Sequence, residues 1–174
     1  MIPYQPEPWA WVYLSQFLFT SLLPWFLPTR NEIFRCSAGL VLMSAISFVV
    51  FLFFPVAAPP RINGMGHLSM TIIAAYDGSL NCFPSLHAAF LFYMAALGRR
   101  LFGSGMHPIA VALCAIWGMA ILYATIATRQ HYALDLVAGA AVGCVSYWLA
   151  WRGSDRAVVT MPCNRVVTSH EGVR

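Results

Sequence analysis

Four stretches of this 174-residue chain run for roughly the thickness of a bilayer, about 20 residues, with at most one charge apiece. They are residues 9–27, 36–54, 108–127 and 132–151; only the last carries a charge, Asp135. In a lipid medium the backbone must satisfy its own hydrogen bonds, so runs this long read as helices. Composition agrees: 60% of residues are hydrophobic and 9% are charged, where a soluble domain has roughly 25% charged. A soluble domain of this size has too little interior to hide that much apolar surface. The pattern implies an all-α, polytopic transmembrane bundle. It excludes a soluble enzyme, a disordered chain, a disulfide-stapled module and a coiled coil.

A shorter run, 85–98, ends at Arg99-Arg100 and reads as a fifth span whose arginines snorkel to the headgroups. The expected organisation is a transmembrane domain over 1–152 followed by a polar tail over 153–174. All ten basic residues are arginine, placed singly or in one pair. That is loop charge on a membrane protein, not a nucleic-acid stripe. With five spans, eight arginines (30, 35, 99, 100, 152, 156, 165 and 174) fall on one side, and only Arg61 and Arg129 on the other. The positive-inside rule makes the eight-arginine side and the tail cytoplasmic, and the N-terminus external. Trp9, Trp11, Tyr13, Tyr123, Tyr132, Tyr147, Trp148 and Trp151 mark the interfaces. No basic n-region or small-residue cleavage site suggests a secretory signal. Gly139 and Gly143 form a GxxxG, explained by close helix packing. The five cysteines form no CxxC and read as small buried hydrophobes.

Polar chemistry gathers on the outer side. The loop over 55–84 opens with PVAAPPR, ending at Arg61, and leads into NCFPSLH, ending at His87. Pro84 favours a helix start, which puts Ser85 and His87 in a first turn whose N–H groups suit an anion. The bland alternative is a capped helix with an incidental histidine. The second cluster is ATRQHYALD, from 127 to 135. His131 and Asp135, spaced i,i+4, share a helix face, and Asp135 lies where a carboxylate is costly. A bond from His131 Nδ1–H to Asp135 would fix the tautomer and leave Nε2 to attack. A structural His–Asp pair is the alternative. Such a pair can also hold zinc with His87 or Cys82 as a further ligand, but Arg61 and Arg129 nearby favour an anion. Arginines clamp phosphate oxygens, though each can equally bind lipid headgroups.

NCFPSLHAA at 81–89 with QHYALDLVAG at 130–139 resembles the type 2 phosphatidic acid phosphatase (PAP2) family, which shares its active-site plan with vanadium haloperoxidases. PSLH and QHY-x-x-D are similar to the inositol phosphorylceramide synthase-like branch, and APPR at 58–61 resembles the end of the family's first motif. The resemblance covers residues 1 to about 151. It implies His131 as nucleophile, Asp135 as its orienting carboxylate and His87 as general acid and base. It also implies Ser85, Arg61 and Arg129 as phosphate ligands, and no metal or cofactor. Phe54 stands where the broad family's first motif starts with Lys. Thr125 stands where its third motif has Arg. The family usually has six spans, and five are visible here.

The resulting expectation is an integral-membrane lipid phosphatase or phosphotransferase. It would act on a lipid phosphate or phospholipid at the extracytoplasmic face through a phosphohistidine. A non-catalytic, lipid- or partner-binding member of the family is the alternative.

Overall fold

A computed structural model describes residues 7–60, 68–76 and 80–153. Six α-helices carry the described chain: α1 Trp9–Leu22, α2 Arg30–Phe53, α3 Leu68–Tyr76, α4 Leu86–Phe102, α5 Pro108–Ala127 and α6 Ala133–Trp151. The fold class is the expected all-α bundle; the β content among the described residues is one isolated bridge, Val56 to Asn81.

Local chemistry sets the helix bounds. Thr29 caps α2 by accepting from Glu32 N at 3.2 Å, and its hydroxyl donates to the Glu32 carboxylate at 3.0 Å. The helix therefore starts at Arg30, six residues before the expected span, and Arg30 and Arg35 lie in the helix rather than in a loop. Pro24 has no N–H to continue α1, which gives way to a 3₁₀ turn over Leu23–Phe26. Gly103 closes α4 at φ 53°. Within the expected loop over 55–84 the structure has a helix, α3, that periodicity did not suggest.

Helices α2, α5 and α6 are long and apolar enough to cross a membrane. The other two expected spans are shorter helices, α1 with 14 residues and α4 with 17. The exterior is apolar, with Trp25, Phe34, Leu52 and Leu134 all exposed, while Gln16, Ser47, Ser69 and Ser146 are buried. That inversion suits a hydrocarbon solvent. Cys36 and Cys82 are buried as expected, but Cys114 and Cys144 face outward, where an apolar solvent accepts a thiol.

Helix α4 packs most extensively on α6, α2 also packs on α6, and α1 packs on α5. Contact between α4 and α6 depends on the two glycines. A Cβ on Gly139 would lie 2.1 Å from the Ser85 carbonyl oxygen, and one on Gly143 would lie 2.2 Å from that of Ala89. One core joins Leu23, Cys36, Tyr93, Leu97 and Trp151 at one end of the bundle. A smaller one joins Tyr13, Ile73 and Ala124 at the other. The starts of α1, α4 and α6 share this second end with the finish of α5.

Candidate active site

The second end holds the polar cluster. His131 and Asp135 are 3% exposed. Asp135 sits in the first turn of α6, where Oδ2 accepts from Tyr132 N at 2.7 Å. Its backbone carbonyl accepts from Ser85 N at 2.9 Å, which ties the start of α4 to α6. Ser85 is the N-cap of α4, and its Oγ accepts from Ala88 N at 3.3 Å. The helix thus begins at Leu86, two residues after the start that Pro84 suggested. His87 falls in the first turn as expected.

The expected bond from His131 to Asp135 is replaced. Nδ1 lies 2.7 Å from the Cys82 carbonyl oxygen and 3.8 Å from Asp135 Oδ2. A carbonyl can only accept, so Nδ1 carries the proton and Nε2 the lone pair. The Cys82 thiol donates to Asp135 Oδ2 at 2.9 Å. Cys82 therefore stands between the two side chains, and its own backbone is held by Cys82 N donating to Val56 O at 3.2 Å. Nε2 of His131 is buried and has no hydrogen-bond partner among the described residues.

His87 faces His131 with ring centroids 5.8 Å apart. On its other side the Tyr13 hydroxyl lies 3.2 Å from His87 Nδ1, and the two rings are 4.4 Å apart. Gln16 Nε2 donates to the His87 carbonyl at 2.7 Å. Both imidazoles open onto a cavity of about 370 Å³ lined also by Gln16, Phe17, Thr20, Asn81, Phe48 and Phe90. Phe48 and Phe90 border a second, apolar groove of about 420 Å³ with Leu40, Val41, Ser44 and Ala45.

The structure thus brings His131, Asp135, His87 and Ser85 together. Arg129, in the left-handed region at φ 54°, directs Nη1 to the Pro60 carbonyl at 2.7 Å. Arg61, next to Pro60, lies outside the described residues. Thr125 is fully buried, with its hydroxyl on Ile121 O at 2.7 Å, and Phe54 is exposed. Neither position supplies a charge. Two residues were missed by sequence reasoning, Tyr13 and Gln16, and Cys82 was weighed there as a metal ligand only. Gln16 carried a signal, as an amide inside an apolar run. Tyr13 looked like a belt residue, and the use of the Cys82 backbone left no trace in the sequence. Cys82, His131 and Asp135 are the described residues able to hold a metal ion.

Residues 7–149, most of the chain, match the PAP2 superfamily. The crystal structure of Aquifex aeolicus LpxE shares the fold, with a TM-score of 0.59 and 18% sequence identity over 84% of this chain and 86% of that one. No curated protein matches the sequence at a significant level.

Proposed function

The chain belongs to the PAP2 superfamily, and from that premise we propose that it is an integral-membrane lipid phosphatase working through a phosphohistidine. The observation that carries the reading is His131: Nδ1–H is fixed on a carbonyl, and a buried Nε2 without a partner lines the same cavity as His87.

The reaction follows from these atoms. The phosphate of the substrate enters the cavity. His131 Nε2 forms a bond to phosphorus as the ester P–O bond breaks. With the substrate's phosphate dianion beside it, His87 is protonated; Nδ1–H donates to the Tyr13 hydroxyl, and Nε2–H is delivered to the departing alkoxide, which leaves His87 neutral. In the second step His87 takes a proton from water, whose oxygen attacks the phosphohistidine. Each positioned proton transfer contributes about 10²–10⁴-fold. Asp135 stabilises the ring while it is cationic. Ser85 Oγ, the first N–H groups of α4, Arg129 and Arg61 bind the phosphate oxygens. The resident chemistry needs no metal. The likeness of PSLH and QHY to the synthase-like branch favours an alcohol as a second acceptor beside water.

A lipid substrate suits the apolar groove beyond Phe48 and Phe90, which continues from the cavity along the lipid-facing side of α2. Sidedness follows charge. Arg30, Arg35, Arg99, Arg100 and Arg152 lie at helix ends remote from the site, so the site is extracytoplasmic and the tail cytoplasmic. Helices α1 and α4 complete five spans.

Phosphate release from a panel of lipid phosphates, by purified protein in chelator, tests the reading. Turnover that vanadate suppresses and His131→Ala abolishes is the expected result. With a short alcohol added, a phosphorylated alcohol marks transfer. Undiminished turnover in His131→Ala overturns the assignment.

A further inference from the structure

Cys82, His131 and Asp135 place a sulfur, an imidazole nitrogen and a carboxylate oxygen, all buried, within 4.8 Å of one another. The three edges are 3.6 Å from Sγ to Nδ1, 3.8 Å from Nδ1 to Oδ2 and 2.9 Å from Sγ to Oδ2. Tetrahedral zinc with bonds of about 2.0–2.3 Å has ligand–ligand edges of roughly 3.3–3.5 Å. Two edges are already within a few tenths of an ångström of that, and the third opens by about 0.6 Å. We propose that this trio is an inhibitory site for a thiophilic divalent cation, Zn²⁺ or Cd²⁺.

The charges balance. A thiolate and a carboxylate neutralise the ion, and a soft sulfur with an imidazole selects zinc or cadmium over magnesium or calcium. The protons balance too. The Cys82 thiol proton leaves to solvent, and His131 gives up Nδ1–H to the metal bond while taking a proton on Nε2. One proton is released overall. The cost is the hydrogen bond from Nδ1 to the Cys82 carbonyl. The consequence falls on Nε2, which changes from a lone pair to an N–H donor and can no longer attack phosphorus. The inhibition, though not the binding, rests on the function proposed above. The same cation that many hydrolases require here switches the nucleophile into the wrong tautomer.

Cobalt absorbance tests binding and phosphate release tests inhibition, both on the full chain in detergent. The variant with Cys36, Cys114, Cys144 and Cys163 changed to Ser keeps Cys82 alone. It is expected to show a thiolate-to-cobalt charge-transfer band that Cys82→Ser lacks, and His131→Ala is expected to weaken that binding at least tenfold. Zinc is expected to lower turnover of the Cys82-only variant at least tenfold, reversibly by chelator, while whatever rate Cys82→Ser retains is insensitive to zinc. No band in a folded Cys82-only variant overturns the site, as does equal zinc inhibition in Cys82→Ser. If lipid phosphate is not turned over at all, the functional reading fails while the cobalt band still decides the cation site.

Discussion

Nδ1 of His131 is 2.7 Å from the backbone carbonyl of Cys82 and 3.8 Å from the carboxylate of Asp135. The imidazole is thus held by main chain, and the carboxylate, gripped by Tyr132 N and the Cys82 thiol, supplies charge nearby. Tautomer control and electrostatic stabilisation, commonly done by one aspartate, are divided between two residues.

Asp135→Asn should therefore be milder than a change that loses the tautomer, where about 10⁴-fold is lost in a serine protease. A fall in kcat of about 10²-fold is expected, from weaker stabilisation of the cationic ring. A loss as large as that of His131→Ala would return tautomer control to Asp135.

Tyr13→Phe keeps the ring contact with His87 and removes the hydroxyl from Nδ1. Turnover of alkyl phosphates should drop about tenfold, less than the roughly 10²–10⁴-fold of a whole positioned proton transfer, because His87 itself remains. Turnover of aryl phosphates with acidic leaving groups should scarcely change, with Tm unaltered. An equal fall for both substrates would separate Tyr13 from leaving-group protonation.

Gly139→Ala puts a methyl 2.1 Å from the Ser85 carbonyl oxygen, where both partners are backbone-anchored. Overpacking of this kind costs about 1–3 kcal/mol or more, and here it parts α4 from α6 at the site. Activity and Tm should both fall. Gly118→Ala is the control: its Cβ would meet Leu91 at an ordinary 3.7 Å, and a small gain from helix propensity is expected. Similar thermal melts for the two variants would contradict the close α4–α6 contact.

Ala45→Trp fills the groove that borders the cavity at Phe48 and Phe90. Long-chain lipid phosphates should lose kcat/KM by about tenfold, the scale of removing one or two buried methylenes' worth of contact. Water-soluble short-chain phosphates should not. Equal effects on both would place the lipid tail elsewhere.

The bundle was legible because span length and charge are one-dimensional signals. The expected 108–127 run coincides with α5, and 132–151 with α6 to within one residue. The start of α2 was missed because a Thr29–Glu32 cap extends a helix into polar sequence that hydropathy treats as loop. Within the site, His131, Asp135, His87 and Ser85 were readable from local spacing. Tyr13 and Gln16 were not, since their partner His87 is 74 and 71 residues away. Cys82 acts on His131 through its carbonyl, which every residue type possesses, so no side chain announced it.

A phosphoryl bond at His131 can be trapped directly. His87→Ala, given a lipid phosphate analogue with a good leaving group, should still form the phosphoenzyme but hydrolyse it slowly, because the base for water is gone. Rapid quenching and peptide mass spectrometry should then find an acid-labile phosphoryl group on His131, accumulating above the wild-type level. A phosphoryl group on any other residue, or product formed without one, would contradict phosphoryl transfer to His131.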